Sequence, residues 1–215
     1  MTFTLSLLSQ ASVILPIVTG WIAFRNLPSL FRLLFYFFIL ALITEIQARV
    51  LNIVAHNNMP GLHIYTWIEF ISFSVAYYLY FQGKRVRALI VINILLATVI
   101  GVLNAIYWGG ITAPNIVSRS YCAMFITLYT LYFFYLLFKG NGNRYEWEYP
   151  MSWIATGALI YFANNLGYFL FSELWYTKVP KIANVSYVLH NLLNIIGNCL
   201  FAQSFRSFQK QKALS

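Results

Sequence analysis

Aspartate is absent from this 215-residue chain, whose only acids are Glu45, Glu69, Glu146, Glu148 and Glu173. That removes the aspartate-built calcium loop and the commonest phosphoryl-transfer motifs. Cysteine is nearly as scarce. Cys122 and Cys199 offer neither a disulfide framework nor a metal-ligand spacing, and the helix count below sets them at opposite depths, too far apart to bridge. No lysine falls inside the core of an apolar run, which excludes a retinal Schiff base of the rhodopsin kind. GxSxG, HExxH, P-loop and GxGxxG patterns are all missing. With three histidines and no aspartate, the chain also departs from seven-helix membrane hydrolases of the ceramidase type. Charged residues amount to 9% against roughly 25% in soluble chains.

What fills the chain instead is apolar bulk: 60% hydrophobic residues, 19% aromatic, and a mean hydropathy of +0.69. This composition defines an integral membrane protein. The expected fold is all-α, a single polytopic domain over 1–215 with seven transmembrane helices near 5–24, 31–54, 62–81, 88–108, 115–138, 150–172 and 181–205. Pro16 lies inside the first run, where membrane helices tolerate a kink. That run lacks a basic leader and a small-residue cleavage site, so it is expected to stay in the mature protein. His56-Asn57-Asn58-Met59-Pro60-Gly61 is a strong turn signal, and Pro150 suits the first turn of a helix.

The excess of 14 Lys and Arg over 5 acids, a net charge of +9, is a topology signal rather than a nucleic-acid surface. Arg25, Arg32, Lys84, Arg85, Arg87, Lys139, Arg144, Arg206, Lys210 and Lys212 fall on one side of the expected bundle, and only Lys178 and Lys181 on the other. By the positive-inside rule the N-terminus is expected outside and the C-terminus in the cytoplasm. Trp67, Trp108, Trp153 and Trp175 fall near span ends, as interfacial tryptophans do.

The polar residues stranded inside the spans carry whatever function there is, because a charge at the centre of a bilayer costs about 3 kcal/mol or more. Glu45 and Arg49 stand one helical turn apart, acid first, and are expected to neutralise one another. Glu69 has no basic neighbour on its own helix and is expected to reach Arg119 or His190 across the bundle. His190, Asn191, Asn194 and Asn198 follow one face of the last span, and Asn164, Asn165 and Asn104 lie at a similar expected depth. An outward-facing polar cavity formed by Glu45, Arg49, Glu69, Arg119, Asn165, His190, Asn191 and Asn194 is the expected ligand site, with Asn198 as interhelical glue. No cofactor or resident metal is expected. His190, Glu45, Glu69 and His63 could supply zinc or iron ligands, but nothing in their spacing demands it.

Spans one to three and five to seven repeat in order and direction around a linking fourth span, an arrangement found in some small transporters. The runs RLLFYFFILALITE (Arg32 to Glu45), HIYTWIEF (His63 to Phe70) and HNLLNIIGN (His190 to Asn198) resemble a family of small, uncharacterised multi-pass membrane proteins from Bacteroidota. The resemblance implies a bacterial inner-membrane location and brings no activity with it. The expected partners are the lipid bilayer, a small or amphipathic ligand and a cytoplasmic signalling protein, and no nucleic acid. Function is expected to be sensing or transport. The alternatives are a lipid-modifying hydrolase using Glu45, Glu69 and His190, and a structural subunit of a membrane complex.

Overall fold

The first apolar run is two helices, not one. In a computed structural model that describes residues 2–107, 110–140 and 149–213, with the side chains of 2–3, 172–177, 180–181 and 209–213 left aside, α1 (Thr2–Ala11) stops short of α2 (Ile14–Ala23). Pro16 has no N–H to give to the Ser12 carbonyl, which accepts instead from Leu15 N at 3.0 Å. The expected kink therefore falls one turn before the proline, at Ser12 and Val13. Ser12 Oγ closes the gap by donating to Ser9 O at 2.6 Å.

Seven longer or continuing elements follow: a 3-10 turn at Phe24–Asn26, then α3 (Ser29–Val54), α4 (Met59–Tyr80), α5 (Lys84–Tyr107), α6 (Ile116–Lys139), α7 (Pro150–Lys178) and α8 (Pro180–Ala213). Among the described residues, six stretches are long and apolar enough to cross a membrane: Thr4–Asn26, Ser29–Val54, Lys84–Tyr107, Ile116–Lys139, Pro150–Phe171 and Ile182–Phe208. The expected span over 62–81 corresponds to α4, which is not among the six, because its proline, histidine, glutamate, serines and tyrosines lower its hydropathy. Two expected ends move. α7 continues past 172 to Lys178, and α8 continues past 205 to Ala213, so its 34 residues exceed what a bilayer core of about 30 Å requires. Trp108, Arg144, Glu146 and Glu148 lie outside the described residues, as do the side chains of Glu173, Trp175, Lys181, Lys210 and Lys212.

Packing arranges these helices as a ring. α2 meets α3, α3 meets α4, α4 meets α6, α6 meets α7, α7 meets α8, and α8 returns to α1 and α2. α5 packs outside the ring against α4 and α6. It is also the least buried of the six apolar stretches, with Leu95 63% exposed and Ile106 equally so. Exposed Leu, Ile and Val side chains run along the outer faces of the other helices as well. So much contiguous apolar surface needs lipid rather than water around it.

Inside the ring, the end away from the α3–α4 connector is filled by aromatic side chains. Phe73 stands edge-on to Phe37 at 5.3 Å and to Phe162 at 4.9 Å, and Phe38 meets Phe201 at 5.1 Å. α7 and α8 can approach because each has a glycine at the crossing. A Cβ on Gly157 would stand 2.7 Å from the Phe201 ring and 3.2 Å from Gly197 O. Gly157→Ala is therefore expected to lower stability by about 1–3 kcal/mol through overpacking, read as a drop in the melting temperature of the purified protein in detergent.

At the connector end, polar groups fix the helix termini. His56 takes a positive φ of 52° directly after α3, the left-handed residue that ends many helices. Asn57 Oδ1 accepts from Met59 N at 2.8 Å, while Asn57 Nδ2 donates to Thr112 O at 3.1 Å. His63 Nε2 lies 3.0 Å from Ala113 O and so ties the α3–α4 side to the α5–α6 connector. The N-terminus of α6 is capped from another helix: Asn104 Oδ1 on α5 accepts from Ser118 N at 3.2 Å. Asn104 thus leaves the cavity and becomes a structural acceptor.

Candidate functional site

Between the aromatic layer and the connector end lies a cavity of about 100 Å³, partly open and lined by residues of α1, α3, α4, α6, α7 and α8. Glu45 and Thr44 come from α3, Tyr65 and Glu69 from α4, Arg119 from α6, Tyr161 from α7, His190, Asn194 and Asn198 from α8, and Ser9 and Gln10 from α1. Phe37, Phe38, Phe73 and Phe201 form its apolar floor.

Among the described residues Glu69 is the most deeply buried acid, 3% exposed. Its Oε1 accepts two phenolic protons, from Tyr65 at 3.0 Å and from Tyr161 at 2.9 Å. Such charge-assisted bonds are what permit a carboxylate to lie among apolar side chains. Tyr65 reaches Glu69 because it precedes it by one turn on α4. Tyr161 is held in turn by Asn165, which is 1% exposed and hydrogen-bonds it.

Arg119 reaches the same cavity from the first turn of α6. Its guanidinium lies over the Phe169 ring at 4.5 Å. It acts through space on both Glu45 and Glu69, yet no direct ion pair joins it to either among the described residues. Its Nε–H is buried without a hydrogen-bond partner. A buried guanidinium N–H without an acceptor, on a residue that lines the same cavity as two carboxylates, is the feature of this site that most requires an explanation.

Of the expected site residues, Glu45, Glu69, Arg119, His190 and Asn194 line the cavity, and Arg49, Asn165 and Asn191 do not. Arg49 does not close on Glu45. Its Nε donates to Gln10 Oε1 at 2.7 Å, and its Nη2 donates to the same oxygen. The break in the first helix puts α1 beside α3 at this level, so a neutral carbonyl becomes the nearer acceptor while Glu45 turns inward. Asn191 spends its amide on the Tyr187 carbonyl of its own helix at 2.8 Å, which leaves it a local role. Asn165 stands one step behind the cavity, bracing Tyr161.

Asn194 and Asn198 act as a pair. Asn194 Nδ2 donates to Ser9 Oγ at 2.8 Å and Asn198 Nδ2 to Ser12 Oγ at 2.7 Å. Both therefore line the cavity and at the same time satisfy the polar groups exposed where α1 gives way to α2. His190 is oriented by Asn164, whose Nδ2 lies 3.1 Å from its Nδ1, and by a stacked Tyr168 ring at 4.8 Å. That leaves Nε2 as the ring nitrogen free of the Asn164 contact. Among the described residues, no three of His, Cys, Asp and Glu gather as a metal-ligand group.

Tyr65, Tyr161, Ser9 and Gln10 were not among the residues expected at the site. For Tyr65 a signal existed, its one-turn spacing to Glu69 on α4. Tyr161 had none, since it meets Glu69 across 92 residues of sequence.

A ring of apolar helices closed around ionisable side chains, with lipid-matching surfaces outside, defines a multi-pass helical membrane protein. No protein-family model, curated protein or solved structure matches the chain.

Proposed function

We propose that this chain is a small transporter of the bacterial inner membrane whose central cavity binds a small polar ligand carrying both a hydrogen-bond donor and an acceptor. The observation that carries this reading is the unpaired arrangement of Arg119, Glu45 and Glu69 around one cavity, with Arg119 Nε left without an acceptor. In a low-dielectric interior, opposite charges held apart are stabilised by a molecule that bridges them.

Three features favour transport over static binding. The first crossing is broken at the level of the cavity, and discontinuous helices typically form substrate sites in secondary transporters. The ring divides into α1–α4 and α6–α8, each contiguous in sequence, and α5 links them from outside. An aromatic layer seals one end of the cavity while polar residues occupy the other. In this reading α4 is a seventh crossing: its 22 residues extend about 33 Å, and its polar Thr66, Glu69, Ser72 and Ser74 are buried against the ring while Ile64 and Leu79 face outward. The N-terminus is then outside, the basic loops are cytoplasmic, and the cavity lies in the outer half of the membrane.

Uptake of small labelled solutes by proteoliposomes, with and without an imposed proton gradient, tests the proposal. Accumulation that is lost in Glu69→Gln is the expected result. Ligand-dependent thermal stabilisation without uptake would replace transport by sensing, in which the basic inner face meets a signalling partner. Absence of both would overturn the reading.

A further inference from the structure

At the end of the bundle opposite the α3–α4 connector, and independently of what the central cavity holds, we infer that a crevice between α4 and α5 binds an anionic phospholipid, with its phosphate on Lys84 and Arg87 and an acyl chain along α5. Lys84, Arg87, Ala88, Val91 and Ile92 of α5 line this open crevice together with Tyr78 of α4. Steps of three and four residues place the five on one helical face. That face is cationic in its first turn and apolar from Ala88 onward, and it continues through Leu95 and Val99, both exposed. The small side chain of Ala88 leaves the passage from the charged turn to the apolar one clear. A phospholipid has the same order of chemistry along its length, an anionic headgroup followed by hydrocarbon.

Charge separates this crevice from the rest of the apolar surface. Three of the four residues from Lys84 to Arg87 are cations. Glu45 and Glu69 line the central cavity instead, so among the described residues no acid side chain compensates them. Arg87 is fixed by the end of α4. Its Nε donates to Tyr78 O at 3.1 Å and to Phe81 O at 2.6 Å, and its guanidinium lies over the Tyr78 ring at 5.1 Å. These bonds use Nε alone. Among the described residues the two Nη amines carry no hydrogen bond, which leaves a held fork of donors of the kind that matches phosphate oxygens. Lys84, one turn away and exposed, adds a second cation on a flexible stem.

The surroundings favour a lipid as the occupant. α5 packs outside the ring, against α4 and α6, so its outer face meets the bilayer. Basic pockets between membrane helices recognise anionic headgroups. A lipid without net charge would cover the apolar stripe and leave the cations uncompensated, and a free phosphate would do the reverse.

Native mass spectrometry of the full-length protein in detergent, titrated with phosphatidylglycerol, with phosphatidylcholine of the same acyl chains and with glycerol 3-phosphate, tests the inference on the first molecule bound. Each cation beside an anionic headgroup contributes about fivefold in affinity, so phosphatidylglycerol is expected to bind at least about tenfold more tightly than either of the others. Lys84→Gln is expected to weaken the first phosphatidylglycerol about fivefold, whereas Arg85→Gln, the same loss of charge outside the crevice, changes it less than about twofold. Ala88→Trp fills the crevice at unchanged charge and is expected to abolish the preference for phosphatidylglycerol. Equal losses in K84Q and R85Q would reduce the crevice to diffuse attraction for a negative surface and overturn the inference. So would equal affinity for the two lipids, glycerol 3-phosphate binding as tightly as phosphatidylglycerol, or a dimer of the chain in place of a lipid adduct. Lys84 and Arg85 are both exposed, so their comparison stands even if A88W fails to fold.

Discussion

Arg119→Met is expected to destabilise this protein by about 3–5 kcal/mol, the cost of leaving a buried carboxylate without the opposite charge that compensates it. Glu69 lies 3% exposed and is held by two phenols, and Arg119 supplies the opposite charge that acts on it. With the guanidinium gone, the carboxylate keeps its hydrogen bonds and loses its compensating field. Adding Glu69→Gln removes the stranded anion, so the double variant is expected to recover part of the loss, with a coupling energy of about 1–3 kcal/mol. Reversible unfolding in mixed micelles measures all four corners of the cycle. Additive effects would mean that Arg119 and Glu69 do not sense one another, and the site as described would be wrong.

Phe73→Ala is the second large effect. The ring is 1% exposed and packs against Phe37, Phe162 and Phe201, which join α3, α4, α7 and α8 under the cavity. Truncating a fully buried phenylalanine costs about 3–5 kcal/mol, partly from lost burial and partly from the void left behind. The void opens directly into the polar cavity, because Phe73 is one of its lining residues. The variant is thus expected to melt earlier and to admit larger solutes. Leu95→Ala on the lipid face of α5, where the side chain is 63% exposed, is the control and should change stability by no more than about 0.5 kcal/mol. Equal losses at the two positions would mean that the aromatic layer does not hold the ring together.

Local chemistry by itself determined that this chain is a helical membrane protein. Long apolar runs bounded by turn residues must satisfy their backbone hydrogen bonds internally, and only helices do so within one segment. It also determined which ionisable groups are stranded, since Glu45, Glu69, Arg119 and His190 interrupt apolar surroundings wherever the helices pack. Only the tertiary structure decided the partners. A period of 3.6 residues states which side chains share a face but not which helix that face meets. Arg49 went to Gln10 because α1 breaks away from α2, Asn191 turned back to its own helix, α5 was placed outside the ring, and Tyr161 reached Glu69 from α7. Each of these depends on the rotation and neighbourhood of whole helices, which are set by interlocking contacts such as Gly157 against Phe201 rather than by any single segment's composition.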